Sequence, residues 1–104
     1  DIVKHTIEIA KAAIQKRHKV SIFLFMDGVY NIMMTQDGEP FKLTPYFMQF
    51  QELIDMGVKI KICKLCKILR GVKDDNIPEN IKAEGIAVLN ELILESDKVI
   101  SFIR

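Results

Sequence analysis

Lys59-Ile-Lys-Ile-Cys-Lys-Leu-Cys-Lys-Ile-Leu-Arg-Gly71 is the stretch on which the reading of the whole chain turns. Before Cys63, the apolar Val58, Ile60 and Ile62 alternate with Lys59 and Lys61, the period-two pattern of a strand. After it, Leu65, Ile68 and Leu69 recur at helical spacing. Cys63 therefore falls where a strand ends and a helix begins. Cys66, three residues on, shares a face of the first helical turn with it. Backbone N–H groups and the helix dipole at such a junction favour an anion, and a thiolate is an anion. Lys64, Lys67 and Arg70 add positive potential, and no acidic residue appears until Asp74.

Working outward, the segment before this stretch supplies a second buried strand. Val20-Ser-Ile-Phe-Leu-Phe-Met26 is almost wholly apolar, as in a strand covered on both faces of a parallel sheet. It ends in the turn signal Asp27-Gly28. From Asp1 to about Gln15, Val3, Ile7, Ala10 and Ile14 give a helix with one buried face. A helix leading into a buried strand is half of a βαβ unit, which implies a strand before Asp1 with no counterpart in the sequence. Val29 to Met34 suits a short helix, and Thr35 to Pro40 is the most loop-like part of the chain. Thr44-Pro45 reads as N-cap plus first-turn proline of a helix that runs to about Met56 and buries Phe47, Phe50, Leu53 and Ile54. Gly57 fits the position just past its end.

Beyond Gly71, a polar loop leads to a short extended or helical piece at Asn80 to Glu84, then a helix over Gly85 to Glu95. Lys98-Val-Ile-Ser-Phe-Ile103 reads as a last strand of the same sheet. The expected fold class is α/β: an open, mainly parallel sheet with helices on both faces, in a single domain over residues 1–104.

Composition narrows the function. At 49% apolar and 28% charged, the chain has the balance of a soluble globular domain. A net charge of +1 gives no general affinity for nucleic acid or an anionic membrane. No apolar run approaches the ~20 residues of a membrane span. Two cysteines are too few for a disulfide-stapled secreted scaffold, so the expected compartment is a reducing cytoplasm. There, C-x-x-C points to redox, sulfur or metal chemistry. A structural zinc site needs about four ligands, and only two are present here with no histidine near them in sequence, so no metal or other cofactor is expected. His5 and His18 read as solvent-exposed. Serine nucleophile motifs and glycine-rich phosphate loops are lacking. Three readings stay open on the residues alone: a reactive thiol at Cys63, a dithiol–disulfide pair, and two incidental buried cysteines.

In order and spacing, several features resemble the DsrE/DsrF-like (YchN- and TusD-type) family of small sulfur-relay proteins. They are the apolar strand ending in Asp27-Gly28-Val29, the Gly57-Val58 approach to a strand ending at Cys63, and the Arg70-Gly71 pair closing the next helix. Glu84-Gly85 and the ending Glu95-Ser-Asp-Lys-Val-Ile-Ser-Phe102 complete the set. The resemblance implies a cytoplasmic α/β protein that forms a homotrimer or homohexamer and acts as a sulfurtransferase, with a persulfide carried on Cys63. Cys66 matches the second cysteine of members with C-x-x-C; on the leading reading of this chain it resolves the persulfide or forms a disulfide with Cys63. On this expectation Lys64 and Arg70 give electrostatic support and Asp27 and Gly28 form a wall of the substrate pocket. The partners would be sulfur-donor and sulfur-acceptor proteins or small thiols. The alternatives are a C-x-x-C oxidoreductase or redox sensor, and a non-catalytic assembly subunit.

Overall fold

A computed structural model describes residues 2–34, 36 and 45–102. Helix α1 (Ile2–Gln15) leads into strand β1 (Ser21–Leu24) and a 3-10 helix, Met26–Ile32. Helix α2 (Tyr46–Asp55) is followed by β2 (Lys59–Cys63) and, without a break, by α3 (Lys64–Leu69). A 3-10 turn at Asp74–Asn76, strand β3 (Lys82–Glu84) and helix α4 (Ile86–Glu95) complete the order. The three strands form a parallel sheet in the order β1-β2-β3, which is the open α/β architecture expected from the sequence.

The register explains which side is the core. Ile22 lies beside Ile60, and Leu24 beside Ile62, which in turn lies beside Ala83. Neighbours in a parallel ladder point to the same face, so these residues make one apolar sheet surface. Phe50 and Leu53 of α2, Ile7 and Ala10 of α1, and Val29 and Ile32 of the 3-10 helix belong to the same buried cluster. The reverse face carries Ser21, Lys59 and Lys82, all exposed, with Phe23 and Lys61 half-buried. Strand β1 is thus shorter than the apolar run Val20 to Met26, because Phe25 and Met26 leave the ladder to start the 3-10 helix.

Three helices end in the same way. After α1, α2 and α3 the chain turns through a residue in the left-handed region: Arg17 at φ 67°, Gly57 at 105° and Gly71 at 68°. Paired backbone bonds close each end, such as Val58 N–H to Leu53 O at 3.0 Å and Gly57 N–H to Ile54 O at 2.9 Å. Val72 N–H to Lys67 O and Gly71 N–H to Ile68 O, both 3.1 Å, repeat the pattern after α3. This satisfies carbonyls that a helix end otherwise leaves open, and it seats Val58 and Val72 in the interior.

The start of α2 differs from expectation. Pro45, not Thr44, is the N-cap, and Thr44 lies outside the described residues. Gln36 does the capping work at a distance: its Oε1 accepts from Phe47 N–H at 3.2 Å while its amide donates to Tyr30 O at 2.8 Å. Asp1 and the expected loop at Thr35 to Pro40, apart from Gln36, also lie outside the described residues.

One expectation is corrected. Of the strand expected over Lys98 to Ile103, residues 98–102 carry no ladder bonds among the described residues and are exposed, including Val99 and Ile100, while Ile103 lies outside the described residues. A strand exists only as part of a pair, and alternating apolar residues cannot supply the neighbouring backbone. Helix α4 is exposed to match, with no buried residue and Leu94 86% exposed.

Candidate functional site

Cys63 is the last residue of β2 and the N-cap of α3. A cap residue keeps extended backbone angles while its side chain turns back over the helix, and Cys63 does so at φ −72°, ψ 118°. Its sulfur takes the place of the usual oxygen, accepting from Cys66 N–H at 3.4 Å. The thiol is covered, with 4% of the residue exposed, whereas Cys66 is half-buried and packs against the core.

The two thiols are electrically unequal. Burial alone would push the Cys63 thiol up. A hydrogen bond from the Cys66 thiol, the N–H groups of Cys66 and Leu65, and the Arg70 charge outweigh it, and Cys63 lies below the ordinary thiol range. Cys66 moves the other way. Burial raises it first, and donating its own hydrogen to Cys63 raises it further, against the Met26 N–H and Arg70. The site therefore favours one thiolate, on Cys63, with the proton kept on Cys66.

Arg70 is held in place from two sides. Its Nε donates to Asp27 Oδ1 at 2.8 Å, and its Nη1 lies 3.4 Å from Cys66 O. Asp27, in the first turn of the 3-10 helix after β1, thus meets the C-cap of α3 across 43 residues of sequence. Gly28 sits behind Asp27, where an added Cβ would be 3.8 Å from the Leu24 Cβ, an ordinary contact. Lys64 is exposed, and its charge is felt at Asp74 rather than at the thiols. Of the six residues singled out in the sequence, Cys63, Cys66, Asp27 and Arg70 come together, Gly28 adjoins them, and Lys64 stands apart.

Two participants escaped the sequence reading. Met26 adopts φ 54°, a left-handed conformation that costs a non-glycine residue ~1–2 kcal/mol, and its N–H is directed at the Cys66 sulfur. Nothing in a methionine's identity signals that. Lys67, counted in the basic run, is instead buried, with Nζ 2.7 Å from Asp74 Oδ1. It ties α3 to the loop that leads towards β3, while the apolar residues Leu65, Ile68 and Leu69 face outward at 56–72% exposure.

Among the described residues no group of three or more His, Cys, Asp or Glu side chains converges to hold a metal ion. No helix among the described residues is long and apolar enough to cross a membrane. Two shallow depressions of about 290 and 300 Å³ lie away from the thiols, one beside Gly71 and Lys73, the other beside Phe47 and Met48. The chemistry available is that of a paired thiolate and thiol beside an anchored guanidinium: nucleophilic attack on sulfur and disulfide exchange.

Known proteins share this arrangement of chain. The family model described as DsrE/DsrF-like matches residues 2–102. An uncharacterized protein of Methanocaldococcus jannaschii is 28% identical over 96 residues, 92% of this chain and 82% of its own length. A sulfurtransferase TusD homolog of Vibrio vulnificus is 28% identical over an alignment covering 91% of this chain and 82% of that protein. In fold, the crystal structure of the YchN protein from E. coli superposes with a TM-score of 0.79 at 21% identity, covering 96% of this chain and 82% of that one. A match over nearly every residue, with the strand-end cysteine inside it, makes this chain a member of the DsrE/DsrF-like family.

Proposed function

We propose that the protein is a sulfur-relay protein that carries sulfane sulfur as a persulfide on Cys63. The observation that carries this reading is the Cys63 sulfur itself, which takes a hydrogen bond from Cys66 N–H at 3.4 Å and lies below the ordinary thiol range. Family membership and the likeness to a sulfurtransferase TusD homolog support it. In the first step the Cys63 thiolate attacks the outer sulfur of a donor persulfide, the donor's S–S bond breaks, and the donor leaves as a thiolate. In the second, an acceptor thiolate attacks the outer sulfur now on Cys63, and the Cys63 thiolate is regenerated. No oxidant is consumed in either step.

Within this reading Arg70 stabilises negative charge at the sulfur, and Asp27 holds Arg70 in register. Sulfur-donor and sulfur-acceptor proteins or small thiols are the partners. Self-association into a trimer or hexamer would cover apolar surface; the most exposed is on α3, on α4 and at Val99–Ile100, and Met34 and Met48 are also open. The test is intact-mass measurement after incubation with a persulfide donor. The unmutated protein gains one sulfur atom and Cys63→Ser gains none; equal gain by both would remove Cys63 from the role.

A further inference from the structure

We propose that Cys66 gives this site a second outlet: attack by its sulfur on the inner sulfur of a Cys63 persulfide releases hydrosulfide and closes a Cys63–Cys66 disulfide. The inference rests on persulfide carriage at Cys63 and adds a reaction that carriage does not require.

The geometry is that of two cysteines already joined across one helical turn by a hydrogen bond to the Cys63 sulfur. Cys66 donates both its backbone N–H, at 3.4 Å, and its thiol hydrogen to the Cys63 sulfur. Residues three apart in a helical turn have Cβ atoms about 5–6 Å apart, so bridging needs only modest adjustment to reach the Cβ separation of about 3.5–4.5 Å in a disulfide. When Cys63 carries an outer sulfur, the Cys66 thiol supplies the proton that sulfur needs to leave. Its departing proton goes to that outer sulfur, and the negative charge left on Cys66 meets the Met26 N–H and the Arg70 guanidinium.

The step balances. Cys63–S–S⁻ and the Cys66 thiol give the Cys63–Cys66 disulfide and HS⁻. The bond between the two persulfide sulfurs breaks, a Cys63–Cys66 sulfur bond forms, and the proton of Cys66 leaves on hydrosulfide. The sulfane sulfur gains two electrons, one from each cysteine sulfur. Restoring the dithiol needs an external dithiol reductant, which the half-buried Cys66 side of the pair can meet. An acceptor thiolate attacks the outer sulfur and Cys66 the inner one, so the two outlets compete for one intermediate. Cargo is passed on while an acceptor is docked and discharged when none arrives.

The protein, Cys66→Ser and Cys66→Ala are loaded with glutathione persulfide, desalted and followed by intact mass, with hydrosulfide trapped by monobromobimane. The unmutated protein should lose the added sulfur and end two hydrogen atoms lighter than its reduced form, with one hydrosulfide per persulfide lost. Both variants should hold their sulfur at least about ten-fold longer, because the intramolecular attack is gone. Dithiothreitol should return the discharged protein to its reduced mass. Equal persistence of sulfur in all three proteins overturns the release step and leaves carriage standing. Failure of all three to gain sulfur overturns carriage, and the release step with it.

Discussion

Ile62 is the floor beneath the reactive strand end, and truncating it measures how firmly the sheet holds Cys63 in place. It is 0% exposed, pairs with Leu24 on one side and Ala83 on the other, and precedes Cys63 directly. Ile62→Ala removes three carbons, worth about 2.4 kcal/mol at ~0.8 kcal/mol per buried methylene. Neighbours on three sides hold the backbone, so the space collapses only partly, and the total should reach about 3–4 kcal/mol within the usual ~2–5 kcal/mol range. Against a typical domain stability of ~5–15 kcal/mol this is a large fraction. Urea unfolding followed by circular dichroism at fixed protein concentration reads it as a lowered midpoint. Glu8→Ala is the control: Glu8 is an exposed polar residue of α1, so its truncation should stay within ~0.5 kcal/mol. Equal costs for the two variants, or a cost below ~1.5 kcal/mol for Ile62→Ala, would refute the assignment of the core to this face of the sheet.

The remaining predictions concern charge. Alkylation by iodoacetamide as a function of pH, read by peptide mass, should show Cys63 with a midpoint below the ordinary thiol range and Cys66 with one above it; a shared midpoint would contradict the inequality of the two thiols. Arg70→Gln should move the Cys63 midpoint upward while Lys64→Gln leaves it in place, since of these two cations Arg70 alone acts on that sulfur; an equal response would return Lys64 to the site. Asp74 lies below its ordinary carboxyl value of 3.8, chiefly through its hydrogen bond with Lys67. The stability it contributes is therefore complete above that value and is lost as pH falls through its lower folded value. Asp74→Asn should remove that part of the acid dependence of the urea midpoint, and an unchanged acid limb would show the pair to be without weight.

The sequence by itself determined the local elements around the thiols. Alternation up to Cys63 and helical spacing after it marked the junction of β2 and α3, because those two periods are properties of the backbone that side chains must match. Gly57 marked the end of α2 because few other residues accept a left-handed turn, and Gly71 closed α3 through the family resemblance. The tertiary structure alone decided the rest. Asp27 and Arg70 meet across 43 residues, and no local pattern encodes a pairing between two ends of different elements. Met26 acts through its backbone, so its side chain carries no signal of it. Lys67 is buried and Leu65, Ile68 and Leu69 are exposed, the reverse of what their polarity suggests, because α3 turns its basic stem inward to reach Asp74. The Val99–Phe102 segment has the composition of a strand but pairs with no strand among the described residues, and pairing is a relation between segments rather than a property of one.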